Sequence, residues 1–236
     1  MSNRCQLACA HCHPSISTGW AKLLEIKPLV VEGLQVTDTF LKELTDILPQ
    51  LSCIKFTGGE PFLDPGHWKI LEHLHRYDRS HCDLEYITNG ITSFRPHLWE
   101  GWKTVKCGIS VDGYQDTYEW FRRGSTWKEI CAGVENIKQF ADVSMLYSIT
   151  PFTFHDYHKA KVFWGNLNPI RVVFPKYASM IDFPMEIASQ VESYETIPYV
   201  SFAQGDNIDI YRDFANWWDT KWNTDGWATK LFWWLK

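Results

Sequence analysis

The sequence has no run of about 18 apolar residues, the least a membrane-spanning helix needs, so no membrane span is expected. Its start is polar and has no signal-peptide core, which makes the cytoplasm the default compartment. There is no long run of Lys or Arg, and 23 basic residues against 28 acidic ones leave a net charge of −5. Free nucleic-acid backbone needs a basic face, so nucleic acid is not an expected partner. No repeat of fixed period and no low-complexity tract occurs. No cysteine follows Cys131, and only four residues precede Cys5.

What is present is an ordinary soluble composition with one bias. The 236 residues, 45% hydrophobic and 22% charged, suffice for one α/β domain, or a domain with an appendage, around a sizeable core. Aromatics reach 16%, including 13 Trp. Short apolar runs alternate with helical patterns. "CIKFTGGEP" (53–61) reads as a buried strand running into a glycine turn, and "DLEYITNG" (83–90) and "VKCGISVDG" (105–113) repeat that shape. "DVSMLYSIT" (142–150) and "IRVVFPK" (170–176) are further β-rich runs. Between them "TDTFLKELTDIL" offers Thr37 as an N-cap and Phe40, Leu41, Leu44 and Leu48 on one side. "GHWKILEHLHRY" and "TWKEICAGVENIKQF" are similar helices. The alternation predicts an α/β fold with a parallel sheet, open or rolled into a partial barrel, whose site lies at the strand C-terminal ends. The pattern changes near residue 177. "SFAQGDN" reads as a loop, and the aromatic segment from Ile208 reads as helix broken near Asp225-Gly226. We therefore expect a core over 1–176 and a mostly helical, aromatic-rich C-terminal extension over 177–236.

"NRCQLACAHCHP" (3–14) carries Cys5, Cys9 and Cys12, spaced four and then three apart. In a reducing compartment such a cluster reads as metal ligands or redox groups. Structural zinc and most stable iron–sulfur clusters take four protein ligands. Three thiolates can hold three irons of a [4Fe–4S] cube and leave the fourth open to substrate or cofactor. The alternatives are a zinc site completed by His11 or His13, or a buried thiol cluster. Cys53, Cys82, Cys107 and Cys131 are isolated and read as buried structural thiols.

The cysteine loop followed by "FTGGEP", "YITNG" and "GISVDG" resembles the radical S-adenosylmethionine (SAM) superfamily over roughly residues 3–176. More narrowly, "CHPSISTGWAK", "YEWFRRGSTW" and "VVFPKYAS" look like twitch-domain-containing radical SAM proteins. The resemblance implies a partial (β/α)6-type barrel in which Cys5, Cys9 and Cys12 bind a [4Fe–4S] cluster. The SAM amino and carboxylate groups would chelate the fourth iron, and a flavodoxin or ferredoxin would supply one electron. SAM cleavage would then yield a 5′-deoxyadenosyl radical that takes a hydrogen from a substrate, and the substrates of similar proteins include peptides.

The same resemblance makes Thr57, Gly58, Gly59 and Glu60 the motif that meets the SAM ammonium. It makes Thr88, Asn89, Ser110 and Asp112 cofactor contacts, and Arg122, with Arg123 as fallback, the partner of the SAM carboxylate. Read from the residues alone, GGE is also an ordinary turn, Asn-Gly a common turn signal, and "FRRG" a solvated helix end. Strand alternation would put Ser110 and Asp112 on one face.

Two departures from the family pattern stand out. With no cysteine after Cys131, an auxiliary cluster is not expected. A radical SAM barrel also places a strand before its cysteine loop. Either this chain is truncated, or the barrel lacks that strand and the tryptophan-rich tail or a partner covers the edge. The enzymes weighed beside this reading are a 7-carboxy-7-deazaguanine synthase and a glycyl-radical activase. The rival from another class is a non-catalytic zinc or iron–sulfur relative.

Overall fold

The computed structural model describes residues 2–27, 35–172, 178–180, 183–198, 208–224 and 226–235. The chain divides into two compact units. The first comprises Met1–Leu7, His13–Ser110 and Lys128–Ser144, and the second Ala8–Cys12, Val111–Trp127 and Met145–Lys236.

In the first unit, β2 (Cys53–Phe56), β3 (Asp83–Thr88) and β4 (Val105–Ser110) form a parallel ladder, with Cys53 opposite Asp83 and Leu84 opposite Val105. The β2–β3 connection carries the helix Pro65–Leu74, and the β3–β4 connection only a 3-10 turn at Pro96–Trp99, both long enough for the crossover that parallel strands need. Leu84, Tyr86 and Thr88 of β3 alternate as buried positions with half-buried Asp83, Glu85 and Ile87. Tyr86 anchors this side of the core. Its hydroxyl meets His67 Nε2 at 3.0 Å and accepts the Trp99 indole N–H at 3.2 Å. Helix α2 (Asp38–Ile47) starts where expected, because Thr37 Oγ1 accepts the Phe40 N–H at 3.1 Å. Helix α3 (Pro65–Leu74) is capped by Asp64, which accepts the Gly66 N–H at 2.8 Å, with Pro65 in the first turn. Helix α5 (Trp127–Ile137) buries Ile130, Val134 and Ile137 at three- and four-residue spacing.

The second unit holds β6 (Asp142–Ile149) from Met145 onward and β7 (Leu167–Arg171), a parallel pair joined through Met145–Ile149. It also holds an antiparallel ribbon of β1 (Ala8–Cys9) and β5 (Arg122–Arg123). Around them lie α4 (Asp116–Phe121), α6 (Tyr157–Trp164), the short α7 (Met185–Ala188), α8 (Asp209–Lys221) and α9 (Trp227–Leu231). Helix α8 buries Tyr211, Phe214, Ala215, Trp218 and Asp219, one helical stripe. Trp120, Phe152, Phe214, Trp218 and Phe232 form one aromatic core, with Trp120 and Phe232 centroids 4.9 Å apart. Fully burying an aromatic side chain contributes about 1.5–3 kcal/mol, so this cluster is a main stabiliser of the unit.

Several expectations shift. The 53–56 strand is not buried: Cys53 and Lys55 are exposed and only Phe56 is buried, because β2 lies at an edge of its sheet. Cys53 is therefore not a buried thiol. Cys82 and Cys107 are buried, and Cys131 is half-buried. The strand expected over 170–176 begins earlier, at Leu167, and runs through Pro169. Pro lacks a ladder donor, which an edge strand such as β7 tolerates. Residues 173–176 of that expectation, and the expected loop 201–207, lie outside the described residues. Helix α8 ends at Lys221, ahead of the expected break, as Asn223 turns left-handed at φ 52° and Gly226 at φ 75°. Asp225 itself lies outside the described residues. Among the described residues no strand precedes Cys5, and five strands lie in parallel ladders.

Candidate functional site

In the first unit the predicted rim residues converge on one carboxylate. Glu60 follows β2 through the turn Thr57-Gly58-Gly59 and is 1% exposed. Its Oε1 accepts the Thr88 hydroxyl at 2.8 Å and the Phe62 N–H at 3.2 Å, while Oε2 accepts the Asn89 N–H at 2.8 Å. Thr88 ends β3 and Asn89 follows it, so the carboxylate ties two strand ends together. The residues ahead of Cys5 lie on the same turn. Gly59 N–H donates to Ser2 O at 3.1 Å, Glu60 N–H to Arg4 O at 2.6 Å, and Ser2 N–H to Asp64 Oδ2 at 2.8 Å. A Cβ on Gly59 would collide with the Arg4 carbonyl, which explains the glycine. Asn89 Nδ2 donates to Gln6 at 3.2 Å, and Asn89 Oδ1 accepts the Ile91 N–H at 3.0 Å. Asn89-Gly90 is thus a side-chain-closed turn, with Gly90 at φ 76°. Thr57 and Gly58 are exposed, Gly58 at φ 142°. Ser110 is half-buried at the end of β4. Asp112 lies two residues beyond the end of that strand.

Cys5 is half-buried. Its N–H donates to Thr18 Oγ1 at 3.1 Å, and its carbonyl accepts the Gly19 N–H at 2.9 Å. The start of α1 (Thr18–Leu23) is thereby fastened to the cysteine loop.

In the second unit Cys9, buried in β1, lies in register opposite Arg122 of β5. Cys12 turns back so that its N–H donates to Cys9 O at 2.9 Å, and Ala10 N–H donates to Phe121 O at 2.7 Å. His11 stacks on Phe121, with centroids 5.1 Å apart and planes at 21°. Arg122 Nη1 donates to Asp112 Oδ2 at 2.6 Å, and Ser148 N–H donates to Asp112 Oδ1 at 2.6 Å. His11 Nδ1 stands 4.0 Å from Asp112 Oδ2. All of these groups are largely buried, which sets their protonation. Burial works against the Arg122 charge, but Cys9 first and Asp112 second outweigh it and hold the guanidinium above its usual range. Burial likewise opposes the Asp112 charge, and Arg122, then His11 and the Ser148 N–H, overcome it and keep the carboxyl below its usual range. Burial dominates at His11 and pushes its pKa down, against Asp112. Arg122 and Asp112 are therefore brought together as a charged pair.

Arg123, the fallback, is committed elsewhere. Its Nη2 donates to Thr224 Oγ1 at 2.9 Å, stands 3.7 Å from Asp219, and its guanidinium lies 4.4 Å from the Trp227 ring centroid. Asp219, Ser148 and Thr224 escape sequence reasoning, since nothing beside them marks them for this region.

The three cysteines are divided between the units, Cys5 in the first and Cys9 with Cys12 in the second. Neither unit by itself gathers three His, Cys, Asp or Glu side chains as a metal site among the described residues. The donor chemistry nonetheless fits an anionic iron–sulfur group. Arg122, held in its charged form, lies in register opposite Cys9. Arg122 Nε and His11 Nδ1 are buried polar atoms with no hydrogen-bond partner among the described residues. Such atoms suit a partner that the chain itself does not supply, and the Arg122 Nε–H requires an acceptor.

The family model of the radical SAM superfamily matches residues 1–160, and the chain belongs to that superfamily. Its cofactors are accordingly a [4Fe–4S] cluster and SAM. Among solved structures, native anSMEcpe with bound AdoMet and Kp18Cys peptide is 16% identical with a TM-score of 0.56, over 94% of this chain and 60% of that one. Native anSMEcpe with bound AdoMet is also 16% identical, with a TM-score of 0.57 over 95% and 61%. At that identity the likeness shows the fold alone, and the chain spans about 60% of the length of those proteins. No curated protein matches the sequence. Among the described residues no helix is long and apolar enough to cross a membrane.

Proposed function

We propose that the chain is a radical SAM enzyme that modifies a peptide or protein, with Cys5, Cys9 and Cys12 as the cluster ligands. The observation that carries this reading is the C-x3-C-x2-C loop with Cys9 laid in register opposite the buried Arg122–Asp112 pair. A cluster held by these cysteines would supply the electron for breaking a SAM sulfur–carbon bond, chemistry that would let hydrogen be taken from an unreactive substrate carbon. The chain's own residues bind, orient and keep water out. Arg122 keeps a donor for the SAM carboxylate while Asp112 fixes its guanidinium. Glu60 holds the ends of β2 and β3 in place for the ammonium, with Thr57, Gly58, Gly59, Thr88, Asn89 and Ser110 supplying the remaining contacts. A flavodoxin- or ferredoxin-type donor fits the one-electron requirement. A peptide substrate is supported by the aromatic richness of the chain and by the peptide bound to anSMEcpe. The narrower likeness to twitch-domain proteins rests on "CHPSISTGWAK", "YEWFRRGSTW" and "VVFPKYAS".

The test is anaerobic incubation of reconstituted protein with SAM and dithionite. Release of 5′-deoxyadenosine, with about four irons and four sulfides per chain, is the expected result. One colourless zinc per chain and no SAM cleavage would instead identify a non-catalytic relative.

A further inference from the structure

We infer that Asp219, in the C-terminal aromatic segment, is a positioning residue that holds the cysteine loop in place through residues 120–123. The cluster reading above supplies its functional meaning. Asp219 is 3% exposed on α8, and both carboxylate oxygens are engaged. Oδ1 accepts the Trp120 indole N–H at 2.8 Å and the Thr224 hydroxyl at 3.3 Å, and stands 3.7 Å from Arg123 Nη2. Oδ2 accepts the Ala228 N–H at 2.7 Å, which docks the start of α9. The neighbouring Trp218 indole N–H donates to the Trp120 carbonyl at 2.9 Å.

One carboxylate thus grips both ends of the short stretch from Trp120 to Arg123. That stretch is what receives the cysteine loop. Ala10 N–H donates to Phe121 O, Cys9 pairs with Arg122, and Ala8 pairs with Arg123. Two residues a side make a ribbon too short to hold itself. Its register therefore depends on what fixes β5. Arg123 is the pivot: 6% exposed, it is enclosed by Asp219, Thr224, Trp222 and Trp227. A buried guanidinium with its carboxylate removed is strongly destabilised and would leave the pocket. Moving Arg123 moves Arg122 and, with it, the partner of Cys9.

Asp219→Asn preserves the shape but removes the charge and part of the accepting capacity. Thr224→Val is the milder variant, cutting only the hydroxyl between Arg123 and Asp219. Tyr211→Phe is the control, because it removes a buried hydrogen bond of the same unit, to Ser179 O, without touching the clamp. Amide hydrogen exchange is read on the full-length chain with and without reconstituted cluster, beside the electron paramagnetic resonance spectrum and reduction potential of the reduced cluster. The expected result is exchange at Ala10 about tenfold faster in Asp219→Asn, and a smaller acceleration in Thr224→Val. Cluster signal and potential should shift in both, while Tyr211→Phe changes neither. If Asp219→Asn does not fold, Thr224→Val against Tyr211→Phe decides the matter by the same readouts. Unchanged Ala10 exchange in the clamp variants, or equal change in the control, overturns the inference. Because the exchange readout does not need the cluster, a wild-type chain that binds no iron refutes the ligand assignment and still tests the clamp.

Discussion

Glu60→Gln keeps the length of the side chain and removes its charge and one accepting oxygen. In the folded chain that carboxylate takes three donors from the protein itself: the Thr88 hydroxyl, the Phe62 N–H and the Asn89 N–H. The amide oxygen of Gln can keep those on one side. Its NH2 group must then face either the Asn89 N–H, or the Thr88 hydroxyl together with the Phe62 N–H. The hydroxyl can rotate and accept, but a backbone N–H cannot. A buried donor left unpaired costs about 1–3 kcal/mol, and a bond to a charged acceptor is worth more than one to a neutral acceptor, so Glu60→Gln should cost about 2 kcal/mol. For a chain of this size that lowers Tm by about 4–8 °C. Thr88→Val removes one of the three donors and should cost about 1 kcal/mol alone. In the Glu60→Gln background it should cost less, since the two groups share an interaction. The assay is thermal and urea unfolding of the four proteins in the double-mutant cycle, with a SAM titration of the reconstituted single variants alongside. Stability within about 0.5 kcal/mol of wild type for Glu60→Gln would refute the view that this carboxylate ties the ends of β2 and β3 together. Lost stability with unchanged SAM affinity would keep that tie and remove Glu60 from the cofactor contacts.

Cys9→Ala should abolish the iron–sulfur absorbance and SAM cleavage, as should Cys5→Ala and Cys12→Ala; full cleavage by Cys9→Ala would exclude it as a ligand. Arg122→Leu leaves Asp112 buried without its cation and should cost about 3–5 kcal/mol in unfolding experiments, whereas a loss near zero would mean that water reaches Asp112. His67 is 1% exposed, and burial first, with Arg95 adding to it and Asp64 opposing, pushes its pKa from 6.5 to about 3. Above pH 6.5 the ring is neutral in both states; between 6.5 and about 3 the unfolded chain takes up the second ring proton and the folded chain does not, so its contribution to stability is lost as pH falls through that window. Each pH unit below 6.5 should cost about 1.4 kcal/mol, and His67→Asn should flatten the slope by that amount; an unchanged slope would show that His67 is protonated when folded.

The sequence by itself determined the elements whose signals lie among neighbours in the chain. Thr37 caps α2, β3 alternates, and glycines follow β2 and β3, because a cap, a period or a turn is closed within a few residues. The three-cysteine spacing is local in the same sense, and the superfamily was legible from it and the strand-end motifs. Burial of the 53–56 strand was not. Apolar composition alone does not tell a central strand from an edge, and Cys53 lies exposed.

The tertiary structure decided which polar groups meet. Thr88 and Asn89 find Glu60 from 28 and 29 residues away. "FRRG" offers two adjacent arginines with equal claims. Only the fold separates them, setting Arg122 on Asp112 and Arg123 in the pocket of Asp219, Thr224 and Trp227. Trp120 and Asp219 are 99 residues apart. An aspartate on an amphipathic helix reads as a solvated charge until packing buries it, and a buried charge persists only where donors converge on it.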